Sequence, residues 1–242
     1  MKAVIVGASA GLGRALAECL AEKGHELILA ASDKRDLQRL ACDIAIRFNA
    51  NVDCIELDIT NYDNAKLVND IIERFTVIDY IFIVVGMGSA NDTETIDNNT
   101  LRKLLEVNYS GPVSLINSAI HHLNKHKSYL IGIGSVAAIR GRSYNIVYGS
   151  SKRGLEFYFE AIKHLLSSSN CIVKFYRVGF MATTMLGNKR NGLLVAKSED
   201  IAKNIIENLD TGKTLTYLPS YWQLFAIILK IMPWCIFKRL KI

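Results

Sequence analysis

Seven short apolar segments alternate along the chain with amphipathic stretches, and this alternation constrains the fold most strongly. The apolar segments are 3–7, 27–31, 52–57, 78–85, 128–134, 171–178 and 213–218. They are almost continuously apolar, as expected of strands that are buried on both faces of a parallel sheet. The alternation predicts an α/β fold with a single doubly wound, parallel, seven-stranded sheet and helices on both faces.

Size and composition favour one large domain over 1–218, followed by an amphipathic helical tail over 219–242. With 242 residues, of which 50% are hydrophobic and 21% charged, the chain can bury a sizeable core. Its five cysteines are scattered and form no CxxC pair, which indicates reduced, mostly buried thiols in a cytoplasmic protein. The apolar run near the N-terminus is too short for a signal peptide and predicts a first strand.

Three glycines follow this first strand in the segment GASAGLG, ahead of an amphipathic stretch. Glycine permits a tight turn and lets backbone N–H groups approach a pyrophosphate, which then faces a helix N-terminus. The segment predicts a dinucleotide-binding loop. Its expected contact residues are Gly7, Ser9, Ala10, Gly11, Leu12 and Gly13.

Tyr148 and Lys152 are four residues apart in VYGSSK, so on a helix they project from the same face. Taken alone, the pair also fits a solvated helix face. A free phenol has a pKa of about 10, and a nearby ammonium favours its ionised form and lowers that pKa. The pair therefore predicts a phenol adapted to proton transfer.

The glycine spacing GxxxGxG together with YxxxK resembles the short-chain dehydrogenases/reductases, and the likeness covers about 1–218. Ser135 ends a predicted strand 13 residues before Tyr148, and Asn108 lies in LLEVNYSGPV. The resemblance implies a Rossmann-type fold, carbonyl reduction or alcohol oxidation, and a catalytic set of Asn108, Ser135, Tyr148 and Lys152.

The resemblance also implies contacts to a nicotinamide dinucleotide beyond the glycine loop. These residues are Asp58, Ile59, Gly86, Tyr148, Lys152, Gly179 and Thr183. Two positions depart from the family pattern. The segment 83–86 reads IVVG and keeps only Gly86, which predicts altered packing, and Val178 replaces a proline, which predicts a looser loop over the nicotinamide.

The residues after the second strand bear on the choice of dinucleotide. An acid there would bind the ribose 2′-hydroxyl of NAD, whereas bases would hold the 2′-phosphate of NADP. On the family pattern, Ala31 takes the place of the acid, and Ser32 and Arg35 become candidate contacts. Lys34 supports NADP and Asp33 opposes it, so NADP is favoured and NAD stays open.

The histidines at 121, 122 and 126 predict no metal site, because no cysteine or carboxylate set accompanies them. They lie near a helix end, where positive charge is favourable. Aromatic and basic residues show no pattern that indicates nucleic-acid binding.

The tail over 219–242 is dense in apolar and aromatic residues and ends in cations, in a chain of net charge +6. Gln223, Lys230 and Pro233 interrupt its apolar stretch, which is shorter than the roughly 20 residues of a membrane span. It predicts an interfacial helix at the cytoplasmic membrane. A subunit interface or a flap over the substrate pocket is the alternative.

The tail and the segment 188–194 resemble a bacterial subgroup, the decaprenylphosphoryl-2-keto-pentose reductases. That likeness implies a lipid-linked ketosugar substrate from cell-envelope synthesis, with a soluble ketone or 3-oxoacyl substrate as the alternative. A non-catalytic dinucleotide-sensing scaffold is the alternative from another class. The family resemblance also implies a homodimer or homotetramer formed through helices near 97–125 and 146–168.

Overall fold

The computed structural model describes residues 1–60, 63–90, 92–93, 96–123, 125–182 and 194–240. Seven parallel strands form one sheet in the order β3-β2-β1-β4-β5-β6-β7. The strands are β1 Lys2–Val6, β2 Glu26–Ala31, β3 Val52–Glu56, β4 Tyr80–Ile83, β5 Ser128–Ser135, β6 Cys171–Val178 and β7 Leu215–Leu218. This architecture confirms the predicted fold class.

Helices cover both faces of the sheet. They are α1 Gly11–Glu22, α2 Lys34–Phe48, α3 Asn64–Arg74, α4 Asn98–Leu105, α5 Gly111–Leu123, α6 Ile146–Leu165, α7 Ser198–Glu207, α8 Trp222–Ile231 and α9 Trp234–Phe237. The buried side chains of α1, α2 and α7 form one core, and those of α3, α5 and α6 form the other.

The side chains of β1 show why the strands are apolar at every position. Ala3 and Ile5 point into the first core, whereas Val4 and Val6 point into the second. Successive strand residues face opposite sides, so a sheet covered on both faces needs both sets to be apolar. Each fully buried Val or Ile contributes roughly 1.5–3 kcal/mol to folding.

The strand order reverses beside β1, which pairs with β2 on one side and β4 on the other. In doubly wound sheets the ligand crevice lies outside the carboxyl ends of the strands at this point. The carboxyl ends of β1, β4, β5 and β6 therefore meet at one edge of the sheet. Ser135 is the last residue of β5, and the segments after β1, β4 and β6 contain the glycine loop, Gly86 and Gly179.

The two long helices predicted from the sequence differ in continuity. The predicted helix over 97–125 consists of α4, a π-helical turn Glu106–Ser110 and α5, whereas the helix over 146–168 is the unbroken α6.

The expectation of mostly buried cysteines is wrong. Only Cys19 and Cys171 are buried, Cys54 is half-buried, and Cys42 and Cys235 are exposed.

The tail forms two short helices, α8 and α9, with Pro233 as the residue that precedes α9. Trp222 and Ala226 of α8 pack against Val136 and Ile139, so one side of the tail docks on the segment after β5. None of the helices in the described ranges has the length and apolar content needed to cross a bilayer.

Candidate active site

Lys152 lies buried near the carboxyl ends of β4 and β5. Its Nζ donates hydrogen bonds to the carbonyl oxygens of Val85 at 2.8 Å and Ile133 at 3.4 Å. These bonds attach α6 to the ends of β4 and β5. Burial lowers the pKa of Lys152 from 10.5 to about 8.

Tyr148 lies one helical turn before Lys152, and its phenol interacts with the Ser135 side chain. Burial raises the pKa of the Tyr148 phenol, and the interaction with Ser135 acts in the opposite direction. The Ser135 hydroxyl oxygen also accepts a 3.1 Å hydrogen bond from the backbone N–H of Ala137. The predicted juxtaposition of Ser135, Tyr148 and Lys152 is therefore present in the fold.

Asn108 lies on the π-helical turn and is fully buried. Its amide oxygen accepts from the backbone N–H of Met87, and its amide nitrogen donates to the carbonyl oxygen of Met87, both at 2.8 Å. A Cβ added to Gly86 would lie 3.3 Å from Lys152 Nζ and 3.7 Å from Asn108 Oδ1. Gly86 thus separates the two side chains, and π-helical turns of this kind often occur at functional sites.

Asp92 is a site residue that the sequence reasoning missed. Its two carboxylate oxygens accept hydrogen bonds from the backbone N–H groups of Val147 and Tyr148, at 2.9 and 2.8 Å. Asp92 is only 2% exposed and satisfies the first turn of α6 from a distant segment. Sequence patterns detect caps directly before a helix, and this residue lies 56 positions from Tyr148.

The glycine loop fits the diphosphate of a dinucleotide. Gly7 and Gly11 adopt φ values of +93° and +55°, and a Cβ on Gly13 would overlap the carbonyl oxygen of Gly7. The residue before α1, Ala10, provides no side-chain cap, and the first turn of α1 contains no acid. The N–H groups at this helix end can therefore bind an anion. The Leu12 side chain is buried in the core, and Ser9 is half-buried.

Beyond β2, the residues expected to choose between NAD and NADP have different environments. Ser32 and Arg35 are exposed. The Asp33 carboxylate accepts a 2.9 Å hydrogen bond from the backbone N–H of Asp36 and so caps α2. Lys34 forms an exposed ion pair of 3.3 Å with Glu56.

Asp58 and Ile59 follow β3 near the expected adenine site. Asp58 accepts hydrogen bonds from the backbone N–H and hydroxyl of Thr60 at 3.0 and 2.8 Å, and these bonds lower its pKa. The Ile59 side chain is buried in the second core, so its backbone is the part available to a ligand.

Gly179 follows β6 and lies against the tail. Its N–H donates to the carbonyl oxygen of Leu218 at 2.8 Å, and a Cβ at this position would overlap the Trp222 indole. Thr183 lies outside the described residues, as does most of the segment 188–194. Val178 continues β6 in register with Ser135 and Leu218, and the predicted looseness of the following loop stays a prediction.

Comparisons with known proteins give the family. A family model described as short chain dehydrogenase matches residues 1–193. Carbonyl reductase family member 4 of Danio rerio is 25% identical over 185 residues, which cover 76% of this chain and 76% of that protein. The oxidoreductase YmfI of Bacillus subtilis is 25% identical over 206 residues, which cover 84% and 82%.

Solved structures share the fold at low sequence identity. A short-chain dehydrogenase from Sphingobium yanoikuyae in complex with NADPH is 20% identical, with a TM-score of 0.83 over 99% of this chain and 96% of that one. An alcohol dehydrogenase from Thermococcus sibiricus is 22% identical, with a TM-score of 0.81 over 89% and 94%. The chain belongs to the short-chain dehydrogenase/reductase family and is an NAD(P)-dependent oxidoreductase.

Proposed function

We propose that the chain reduces a carbonyl group with Tyr148 as the proton donor. The observation that carries this proposal is the convergence of Ser135, Tyr148 and Lys152 at the carboxyl ends of β4 and β5. A bound reduced nicotinamide supplies the hydride. The Tyr148 phenol gives its proton to the carbonyl oxygen, and Ser135 donates a hydrogen bond to the same oxygen.

Lys152 and Asn108 support this proton transfer in different ways. The Lys152 ammonium favours the phenolate that remains after transfer, which opposes the effect of burial on the Tyr148 pKa. Asn108 is a positioning residue, because its amide holds Met87 and so fixes the chain beside Gly86 and Lys152.

Replacing Tyr148 tests the proposal. Tyr148→Phe should lower kcat about 10²- to 10⁴-fold while NADPH still binds, and Tyr144→Phe, which changes an exposed tyrosine nearby, should leave kcat unchanged. The substrate panel comprises ketones, 3-oxoacyl thioesters and keto-sugars on lipid carriers. If the wild type binds NADPH but turns over no carbonyl or alcohol, a dinucleotide-sensing scaffold becomes the better account.

NADP is the preferred dinucleotide in this proposal. Asp33 is engaged as the cap of α2, while Arg35 is exposed just beyond β2, where a 2′-phosphate would lie. Titration with NADPH and NADH, followed by nicotinamide fluorescence, should show tighter NADPH binding. Arg35→Gln should weaken NADPH about tenfold and leave NADH unchanged. Arg39→Gln removes an exposed charge one turn further along α2 and is the matched control.

The proposed substrate is a carbonyl compound on a lipid carrier, met at an anionic membrane surface. The support is the two-sided apolar character of α8. Trp222 and Ala226 are buried against the domain, whereas Leu224 and Ile231, on the opposite side, are 63% and 75% exposed. A helix that is apolar all round normally has both sides covered.

The charges of the tail favour a bilayer as the cover for this exposed side. The sequence contains no Asp or Glu after Asp210, whereas Lys213, Lys230, Lys238, Arg239 and Lys241 are all basic. Trp234 is 66% exposed, and indole rings favour the headgroup region of a membrane. Anionic lipid complements this combination of apolar and cationic residues.

Vesicle co-sedimentation tests the membrane contact. The wild type should bind vesicles that contain phosphatidylglycerol, should bind phosphatidylcholine vesicles weakly, and should be released by salt. A double variant, Ile231→Ser with Trp234→Ser, should lose binding, whereas Ile46→Ser, at an isoleucine 83% exposed on α2, should retain it. Light scattering of the same samples reports the homo-oligomeric state. A smaller oligomer without any change in vesicle binding would instead indicate that α8 faces a second subunit.

A further inference from the structure

A cavity of about 270 Å³ lies between the segment 137–142 and the first turns of α6. Gly149, Ser150 and Arg153 line it from the helix. At 100° per residue, these positions lie on the side of α6 away from Tyr148 and Lys152. The cavity is therefore separate from the active site, although both use the same helix.

Arginine dominates the polar lining of this cavity, to which Arg140, Arg142 and Arg153 all contribute. Within the parts of the chain that the structure describes, no Asp or Glu lines it. Arg153 donates to Glu156 at 2.8 Å, but the same carboxylate also pairs with the buried Arg177. One carboxylate thus serves two guanidinium groups, and the positive charge around the cavity exceeds the negative charge.

Arg142 is the member of this cluster whose bonding is incomplete. Its Nε is buried and has no hydrogen-bond partner among the described residues. A guanidinium remains charged at any ordinary pH, and burial without a partner lowers the pKa of Arg142. Arg142 as a whole is half-buried, but a guanidinium nitrogen removed from water normally has an acceptor, so this position favours an anionic ligand.

Arg140 connects the cavity to the tail. Its Nη1 donates to the carbonyl oxygens of Leu229 and Met232, each at 2.5 Å, and its guanidinium lies 4.0 Å from the centre of the Phe237 ring. The Nε and Nη2 of Arg140 take no part in these two hydrogen bonds. The basic cavity therefore adjoins the apolar helices α8 and α9.

We propose that this cavity binds a small phosphate-bearing anion, with Arg142 as the principal contact. Planar guanidinium groups match phosphate oxygens through paired hydrogen bonds. The volume is below the 300–1,000 Å³ of typical ligand pockets, which suits a phosphate or diphosphate group better than a whole metabolite. The phosphate comes either from a free anion or from a lipid headgroup beside α8.

Calorimetric titration with inorganic phosphate and with pyrophosphate tests the first source. Arg142→Gln should weaken binding at least about tenfold, the effect expected for loss of a charge-assisted contact. Arg39→Gln removes an exposed charge from α2 and should bind like the wild type. Circular dichroism verifies that Arg142→Gln folds. If it does not, Arg142→Lys replaces it in the titration. This variant retains the charge but loses the planar guanidinium, so it should also bind phosphate more weakly than the wild type.

Vesicles of phosphatidylcholine with phosphatidic acid, compared with pure phosphatidylcholine vesicles, test the second source. The wild type and Arg142→Gln have the same tail. If Arg142→Gln loses binding to the phosphatidic acid vesicles selectively, the result supports a lipid headgroup as the ligand. Unchanged or absent binding in both assays overturns the proposal. A further outcome would also overturn the proposal: the wild type binds no anion, and Arg142→Gln no longer forms the oligomer. That result would indicate that Arg142 pairs with a carboxylate of a second copy of the chain.

Discussion

The carboxylate of Asp92 accepts a 2.8 Å hydrogen bond from the backbone N–H of Tyr148. Its other oxygen accepts from Val147, so Asp92 fixes the start of α6 at the residue proposed as the proton donor. The negative charge also lies at the positive end of the helix dipole. Asp92 acts on the site by holding the backbone that carries Tyr148.

Asp92→Ala should therefore lower both stability and activity. We expect a loss of about 2 kcal/mol in the free energy of unfolding, since the substitution leaves two N–H groups without their buried acceptor. The kcat should fall more than the KM rises, because Tyr148 loses its orientation. Urea denaturation and steady-state kinetics measure the two effects.

Asp97→Ala is the matched control for this prediction. Asp97 caps α4 through hydrogen bonds from the N–H groups of Asn99 and Thr100, at 3.1 and 3.0 Å. Its loss should cost some stability without lowering kcat. Equal effects of the two substitutions on kcat would show that Asp92 has no particular role at the site.

Residues close in sequence explain why much of this fold could be predicted. Strand apolarity and the intervening amphipathic stretches are local signals, and they predicted all seven strands. The four-residue interval between Tyr148 and Lys152 likewise predicted a shared helix face. The ends of elements were less certain, since β4 is limited to Tyr80–Ile83 within the predicted strand 78–85.

Contacts between distant segments could not be predicted in this way. The Asp92 carboxylate, the Trp222 indole over Gly179 and the Arg140 bonds to the tail each depend on three-dimensional packing. No periodicity marks such residues, and one aspartate or arginine in a loop resembles any other. The cap that Asp33 forms for α2 is by contrast a local interaction, with the N–H of a residue only three positions further along the chain.

The lowered pKa of Lys152 predicts a pH dependence of activity. If the Lys152 ammonium assists Tyr148, kcat/KM for carbonyl reduction should be level below about pH 8 and fall above it, as the pair loses a proton. Lys152→Met should reduce the rate about 100-fold and abolish this decline. A profile measured in constant ionic strength buffers between pH 6 and 10 tests both points. A rate that rises above pH 8 would contradict the proposed role.

The same group should make stability depend on pH. In the folded protein Lys152 loses its proton near pH 8, whereas the unfolded chain retains it to about 10.5. The unfolded state then binds more protons in this window, so the free energy of unfolding should rise with pH. From pH 8 to 9.5 the wild type should gain roughly 1–2 kcal/mol relative to Lys152→Met. Urea denaturation at the two pH values measures the difference, and parallel behaviour of the two proteins would contradict it.

The close approach of Gly179 and Trp222 predicts that the tail is sensitive to a single methyl group. Gly179→Ala should displace α8 and lower the free energy of unfolding by about 1–3 kcal/mol, because a Cβ there would overlap the indole. Thermal unfolding and tryptophan fluorescence measure these effects. Gly141→Ala introduces the same methyl group at a position where none of the described residues lies within 4 Å, and it should leave the free energy of unfolding unchanged.

Glu156 joins two arginines, and its removal should be the most destabilising of these changes. Its carboxylate accepts from Arg177 Nε at 2.6 Å and from Arg153, and Arg177 also contacts the Tyr217 hydroxyl. Arg177 is only 3% exposed, so Glu156→Gln leaves a buried guanidinium without its counter-charge. Breaking such a pair typically costs about 3–5 kcal/mol.

The exposed pair of Asp43 and Arg47 on α2 provides the comparison for this prediction. These side chains are 2.9 Å apart and largely open to solvent, so Asp43→Asn should change stability within the error of a urea titration. Each of the two substitutions removes one carboxylate charge from an arginine. The difference between them therefore measures how much burial adds to the cost of losing an ion pair. If Glu156→Gln were as mild as Asp43→Asn, water or another acceptor would have to replace the lost carboxylate around Arg177. Raising the ionic strength should leave the Glu156→Gln deficit largely intact, because buried charges are poorly screened by salt.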